Sequence, residues 1–152
     1  MNGIVKMRDV RFDKDLFINF RTRTILDNLL CSYQGLPKGV NYMIIGDPGV
    51  GKTTIILDML ANIRKAQPSA RILFISAEMN EIDLAIYVER FPKFGDLDIL
   101  FIEGGFDECG HSWQTVADTL DDGWDIVAID SFHELQGIVK EEELSLIHIS
   151  EP

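Results

Sequence analysis

Residue types suited to phosphate binding stand together in Gly46-Asp47-Pro48-Gly49-Val50-Gly51-Lys52-Thr53, followed by Thr54. Two glycines five positions apart precede a lysine and a threonine, the spacing of a phosphate-binding loop. Glycines let the backbone wrap closely around phosphate oxygens, while the exposed amides and the N-terminus of a following helix supply hydrogen-bond donors and partial positive charge. The segment Gly46–Thr54 is therefore predicted to bind a nucleoside triphosphate.

Two side chains at the end of this loop have predicted tasks. Lys52 would bridge the β- and γ-phosphates, and the Thr53 hydroxyl would bind Mg²⁺, with ATP as the expected nucleotide. An ordinary glycine-rich turn is the alternative. A strand pattern before the loop and a helical pattern after it favour the phosphate-binding interpretation, although no residue pattern selects the adenine base.

Two carboxylates are predicted to lie at the same edge of a parallel sheet. Asp130 ends the apolar run Ile126–Ile129, where it would hold Mg²⁺ through a water molecule. Glu78 follows another apolar run and could orient or deprotonate the attacking water. The alternatives are that Asp130 caps a turn and that Glu78 is an acidic residue in the first turn of a helix.

Short β-branched runs alternate with helical patterns along the chain, which predicts an α/β fold with a mainly parallel sheet flanked by helices. The predicted strands are Tyr42–Ile45, Arg71–Ser76, Leu97–Ile102 and Ile126–Asp130. Predicted helices have apolar stripes at Ile56, Leu60 and Ile63; at Ile82, Ala85 and Ile86 after an Asn80 cap; and at Trp113, Val116 and Leu120. Thr24–Leu30 could form a further short helix.

Composition narrows the classes of protein to consider. The 152 residues are 46% hydrophobic and 26% charged, as in a globular domain. No signal peptide or bilayer-spanning stretch is visible, so we expect a cytoplasmic protein without a membrane partner. Cys31 and Cys109 are read as free thiols. The formal charge of −11 repels nucleic acid, so any DNA contact must come from a local basic loop or from an assembly.

Three segments together resemble the ATPase core of the RecA-like superfamily, namely Gly46–Thr54, Leu73–Met79 and Val127–Ser131. Within it the chain is most similar to RadA-type DNA-repair ATPases and DnaB-type helicases. The resemblance implies a RecA-like P-loop fold, catalytic roles for Glu78 and Lys52, and a Walker B aspartate at Asp130. It also implies that Ser131 is a polar residue near the γ-phosphate. The complete protein would act on DNA as a homo-oligomer, and single-stranded DNA is the expected form.

The chain departs from that family pattern in two ways. It lacks the four-cysteine zinc module of RadA-type proteins, which excludes a plain RadA. In the family, later segments add a strand between the Walker B and P-loop strands, DNA-binding loops, and an Arg or Lys for the neighbouring subunit. We therefore expect residues 39–143 to be the N-terminal part of a core that is incomplete at its C-terminus. A slot beside the Walker B strand, and ATP binding with little turnover, are expected of such a chain.

The two ends of the chain lie outside the predicted ATPase core. Residues 1–38 form a lead-in segment whose role is not readable. Residues 144–152 resemble a translated sequencing-adapter end and are expected to be non-native; a natural final strand is the alternative.

Other interpretations remain open at this stage. The same P-loop could serve a phosphotransferase acting on a small acceptor, or a KaiC-like module in which ATP occupancy controls assembly. Cys109 and His111 are expected in an exposed loop rather than a metal site. His133 is read as a surface or capping residue, and Glu141–Glu143 as a solvated face.

Overall fold

The computed structural model describes residues 3–11, 19–31, 34–102, 112–137 and 140. The strands are β1 (Asn19–Phe20), β2 (Leu36–Pro37), β3 (Ile72–Ser76), β4 (Asp98–Phe101) and β5 (Ile126–Asp130). The helices are α1 (Leu26–Leu30), α2 (Lys52–Ala66), α3 (Glu81–Arg90) and α4 (Ser112–Asp121), with 3₁₀ turns at Met7–Asp9 and Pro92–Asp96. The predicted tail 144–152, Cys109, His111 and Glu141–Glu143 lie outside the described residues.

Three strands form a parallel sheet in the order β4-β3-β5. The β3–β5 register runs from Ile72 opposite Ile126 to Ser76 opposite Asp130. Strands β1 and β2 form a separate antiparallel pair. Because β3 and β5 are parallel and in step, the residues that follow Ser76 and Asp130 emerge at the same edge of the sheet.

Successive side chains of β3 face two apolar clusters on opposite sides of the sheet, as strand geometry requires. Ile72 and Phe74 belong to a cluster with Leu60 of α2, whereas Ile75 belongs to one with Val116 of α4. Each buried large aliphatic or aromatic side chain contributes about 1.5–3 kcal/mol to folding. Helices thus cover both faces of a parallel sheet, and the predicted α/β class is confirmed.

Local signals define the ends of two helices. Asn80 and Asp83 form a capping box, in which the Asn80 side chain accepts a hydrogen bond from Asp83 N at 2.8 Å. This confirms the predicted cap of α3. Helix α2 ends at Ala66, ahead of Pro68, with Arg64 and Lys65 in its last turn where cations favour the helix dipole.

The apolar stripe predicted for α3 is wrong. Ile82 is 71% exposed and Ile86 is 58% exposed. Instead, Leu84, Tyr87 and Val88 pack against the core. Both sets have helical spacing, but only the second continues into Phe91 and the buried Phe94, whose rings lie 5.0 Å apart.

The apolar face predicted for α2 agrees with the structure, whereas the one predicted for α4 agrees only in part. In α2, Leu60 and Ile63 are fully buried and Ile56 packs on them, as predicted. In α4, Val116 is buried, but Leu120 in the last turn is 40% exposed. The prediction for α4 is therefore only partly right.

The predicted strand Tyr42–Ile45 is absent from the sheet. Residues 41–46 have no regular secondary structure, and Met43 and Ile45 are 76% and 84% exposed. Among the described strands β5 pairs only with β3. A groove of about 1340 Å³ is lined by residues of β5 and of the 40–44 segment. The segment therefore forms no ladder with β5, and the groove lies where the family resemblance predicts a slot.

The lead-in segment is held together by a buried carboxylate. Asp27 Oδ1 accepts hydrogen bonds from Thr22 N and Thr22 Oγ1, each at 2.7 Å, and Oδ2 accepts one from Arg23 N at 2.9 Å. Burial alone would raise the pKa of Asp27, but these hydrogen bonds and the positive charge of Arg21 hold that pKa below its ordinary value. The ionised carboxylate therefore stabilises the turn.

Asp27→Asn is expected to lower the free energy of unfolding at neutral pH by about 1–3 kcal/mol, because an amide NH₂ would face the donors that the carboxylate now accepts. The lowered pKa means that this contribution is present above about pH 4 and disappears as the pH falls through the folded-state pKa. Denaturant unfolding at several pH values measures both effects. The exposed Asp96→Asn variant is the control, and equal destabilisation by the two variants would contradict the role of Asp27.

Candidate nucleotide-binding site

The loop before α2 has the backbone shape that its glycines permit. Gly49 and Gly51 have φ values of 81° and 96°, a region that side-chain-bearing residues rarely adopt. An added Cβ would meet nothing within 4 Å at either position, so the requirement is conformational rather than steric. At Gly46, by contrast, a Cβ would come within 3.0 Å of Val50 Cγ2. The glycines therefore allow both the turn and its close packing.

Lys52 is the first residue of α2, and its ammonium group donates a hydrogen bond to the Gly46 carbonyl oxygen. The side chain therefore folds back across the loop from Gly51 towards Gly46. This places a positive charge beside the loop backbone and the N-terminus of a 15-residue helix, where the first amides lack partners within the helix. The arrangement suits an anion.

Thr53 and Asp130 bring the start of α2 and the end of β5 into direct contact. The Thr53 hydroxyl donates a hydrogen bond to Asp130 Oδ2 at 2.6 Å. Asp130 is only 9% exposed, so its carboxylate is held in place by the strand and by this bond. A hydroxyl and a carboxylate at one point are oxygen donors of the kind that Mg²⁺ prefers.

The donor set also fits the type of magnesium site that was predicted. In the described part of the chain no group of three or more His, Cys, Asp or Glu side chains could hold a metal ion. A site with one or two protein ligands instead relies on water and substrate phosphates to complete the coordination of Mg²⁺. Thr53 and Asp130 therefore fit Mg²⁺ that is shared with a nucleotide, and not a site built from protein ligands alone.

Glu78 lies just beyond β3, near Asp130. Ala77 N donates a hydrogen bond to Asp130 O at 2.8 Å, which extends the ladder past Ser76 and connects the two strand ends. Glu78 is exposed and lines the same groove as Lys52, Thr53 and Asp130. Its carboxylate forms no ion pair or hydrogen bond within the described ranges. It is therefore free to contact a ligand or water in the groove.

The remaining candidates have other environments. Ser131 lines the groove, but its hydroxyl oxygen accepts a hydrogen bond from Glu134 N at 3.3 Å and so caps the helical residues 132–137. His133 lies in this short helix and is exposed, in agreement with its interpretation as a surface residue.

Phe132 is among the groove residues that the sequence did not indicate as part of the site. Phe132 is 51% exposed and lines the groove two positions after Asp130. Its ring offers an apolar surface next to the polar side chains of the site, the combination that is usual in ligand sites. The sequence feature that could have indicated Phe132 is an aromatic residue that closely follows a polar strand end and belongs to no apolar stripe.

The comparisons with known proteins give one match. The family model for the DNA-binding domain of type IV secretion-system coupling proteins matches residues 37–129, more than half of the chain. The matched range contains the whole loop, α2, β3 and Glu78, and it ends one residue before Asp130. No curated protein and no solved structure matches the chain.

Removing the hydroxyl of Thr53 tests the contact between α2 and β5. Thr53→Val keeps the side-chain shape but leaves the buried Asp130 carboxylate without this donor, so the free energy of unfolding should fall by about 1–3 kcal/mol. Thr54→Val, one residue further along the same helix, is the matched control and should cost much less. Urea denaturation compares them; equal losses, or no loss in Thr53→Val, would show that the contact does not stabilise the fold.

Proposed function

This chain belongs to the family of type IV secretion-system coupling protein DNA-binding domains, and from that membership we propose that it binds ATP with Mg²⁺ and acts as part of a DNA-processing ATPase. Members of this family are P-loop ATPases. The observation that carries the proposal is the joint position of the phosphate-binding loop, Lys52, Thr53 and Asp130 at the edge of a parallel sheet. Ligands of such sheets bind beyond the carboxyl ends of the strands.

The proposed binding mode uses the backbone first. The amides of the loop and of the first turn of α2 donate hydrogen bonds to phosphate oxygens, which they can do because Gly49 and Gly51 hold the left-handed conformation. The Lys52 ammonium leaves the Gly46 carbonyl and pairs with the terminal phosphates. Binding thus exchanges one internal hydrogen bond for several charge-assisted ones.

When bound, magnesium would neutralise part of the negative charge that develops on the phosphates during hydrolysis. Thr53 would hold the metal ion through its hydroxyl, and the Asp130 carboxylate beside it would support the metal from the end of β5. Glu78 orients the attacking water and accepts its proton. Positioning and electrostatic stabilisation would supply most of the rate enhancement, as is general for phosphoryl transfer.

The proposed partner is DNA, as the name of the matched family indicates, and the proposed task is the movement of DNA during transfer. A RecA-type fold with homo-oligomeric action on single-stranded DNA, in repair, recombination or replication, is the narrower form of the proposal. Its support is Glu78, which follows β3 in Ser76-Ala77-Glu78-Met79 and faces the groove. In the described part of the chain no helix is long and apolar enough to span a bilayer.

Lys52→Ala should weaken binding of a fluorescent ATP analogue by about 10- to 100-fold, because it removes a charge-assisted hydrogen bond of roughly 1.5–3 kcal/mol. Fluorescence titration with Mg²⁺ present measures the dissociation constant. Lys65→Ala, an exposed lysine at the other end of α2, is the matched control and should bind as the parent does. Unchanged binding by Lys52→Ala would rule out the proposed phosphate cradle.

Glu78→Gln should reduce single-turnover hydrolysis of bound ATP by about 100-fold or more, the usual size of a general-base effect, while the affinity for ATP stays the same. Glu81→Gln, an exposed acidic residue in the first turn of α3, removes the same charge nearby and should have little effect. The measurement uses protein in excess over labelled ATP, so that slow turnover is detected. A Glu78→Gln rate equal to that of the parent would argue against a water-orienting role.

A further inference from the structure

Positive charge is concentrated in the lead-in segment, residues 1–38. This segment carries seven of the 14 Lys and Arg residues but only four of the 25 Asp and Glu residues, so it is net positive in a chain of formal charge −11. The matched family range begins at residue 37 and leaves nearly all of this segment out. The basic segment therefore lies almost wholly outside the range that shows the family.

Most cations after residue 38 are engaged within the protein. Lys52 donates to Gly46 O, and Arg64 donates to Ala70 O at 2.6 Å. Three others have the following partners: Arg71 donates to Asp122 O and lies over the Trp124 ring, Lys93 pairs with Asp58, and Arg90 lies over the Phe91 ring. Their positive charges are thus partly committed to internal contacts.

The cations of the lead-in segment are in a different situation. All six that the structure describes are exposed, and none forms an ion pair or a side-chain hydrogen bond with another described residue. They are Lys6, Arg8, Arg11, Arg21, Arg23 and Lys38. An exposed group of cations that has no ion pair among the described residues, on an otherwise acidic protein, favours an anionic partner.

Arg21 and Arg23 are the most firmly placed of these cations. Thr22, between them, is 2% exposed and bonds to Asp27 through both its amide and its hydroxyl. Arg23 N donates to the other Asp27 oxygen, and Arg23 has a φ of 58°. Burial of Thr22 turns the two flanking arginines outwards; Arg21 also acts electrostatically on the Asp27 carboxylate, whose oxygens accept hydrogen bonds from backbone and hydroxyl donors.

The two arginines are not part of the candidate phosphate cradle. Arg21 and Arg23 do not line the groove that contains Lys52, Thr53 and Asp130, although Phe20, the residue before Arg21, does. The cradle is formed instead by the start of α2 and the end of β5. Two separate sites for phosphate-bearing ligands can therefore exist on one chain.

We propose that Arg21 and Arg23, with the other exposed cations of the lead-in segment, bind the phosphate backbone of a nucleic acid strand. The inference rests on the proposed DNA-processing function for the identity of the polyanion. Arginine suits this task because its guanidinium group matches phosphate geometry. A membrane surface is the less suitable partner, since α1 has only five residues and cannot form an amphipathic helix of useful length.

The test is salt-dependent binding of a labelled single-stranded oligonucleotide of about 20 thymidines, measured by fluorescence anisotropy between about 50 and 200 mM salt. The parent chain should bind. In Arg21→Gln/Arg23→Gln the negative slope of the logarithm of the association constant against log salt should become shallower by about 1.4, which is about 0.7 for each lost phosphate contact. Affinity at the lower salt concentration should drop roughly 10- to 100-fold. Arg21→Lys/Arg23→Lys keeps the charges and should retain most of the slope.

Lys65→Gln/Lys140→Gln is the matched control, since it removes two exposed positive charges elsewhere and should leave the slope nearly unchanged. Equal losses in the two Gln pairs would show that net charge alone matters and would overturn the proposal. So would an absence of oligonucleotide binding by the parent chain. Binding to anionic vesicles that is lost in Arg21→Gln/Arg23→Gln, with oligonucleotide binding unaffected, would identify a membrane contact and also overturn it.

Nucleotide binding separates this proposal from the proposed ATPase function. Arg21→Gln/Arg23→Gln should bind the fluorescent ATP analogue as the parent does, whereas Lys52→Ala should lose that binding and keep its oligonucleotide affinity in the absence of nucleotide. Thermal unfolding by circular dichroism confirms that each variant is folded. If both variants lost both ligands, the two sites would not be separate and the proposal would be wrong.

Discussion

The parallel, in-register pairing of β3 with β5 is the constraint on which the rest of the structure depends. It places Ser76 opposite Asp130, and the ladder continues through the bond from Ala77 N to Asp130 O. Glu78 and Asp130, 52 positions apart in the chain, therefore open onto the same groove. The Thr53–Asp130 hydrogen bond then ties the start of α2 to that edge. Without this pairing the loop would be a glycine-rich turn with no carboxylate beside it.

Much of this arrangement could be predicted because it depends on local patterns. The glycine spacing before Lys52 predicts the loop, and strand β5 was predicted with the bounds that the structure shows. The Asn80 cap is encoded by residues three positions apart. The position of Asp130 at a strand end, combined with the rule for parallel sheets, predicted that it would lie near the loop.

What the sequence did not show depends on long-range contacts. Tyr42–Ile45 has the residue types of a buried strand, but a strand needs a neighbour for its ladder, and no described strand pairs with these residues. The two possible stripes of α3 could not be ranked because the choice depends on packing with Phe94. The Asp27 turn was missed since its donors are mainly backbone amides, which leave no pattern in side-chain types. The match to a coupling-protein family likewise depends on residues 37–129, a longer range than the short motifs.

The exposed apolar residues of the 40–45 segment and the groove beside β5 are two sides of one feature. Met43 and Ile45 remain largely exposed while β5 has one free edge among the described strands. Unpaired strand edges and exposed apolar side chains both favour association with further polypeptide. The lysine, threonine and carboxylate of the candidate phosphate cradle are held by α2 and the β3–β5 pair, whereas the loop itself follows this exposed segment directly.

In the proposed binding mode, backbone amides of Gly46–Thr53 hold the phosphates of a nucleotide. Hydrogen–deuterium exchange with and without ATP and Mg²⁺ measures those amides directly. Slower exchange is expected in Gly46–Thr53 and at the start of α2, with no change in residues 19–31. Unchanged exchange in the loop at saturating nucleotide, or protection confined to another part of the chain, would contradict it.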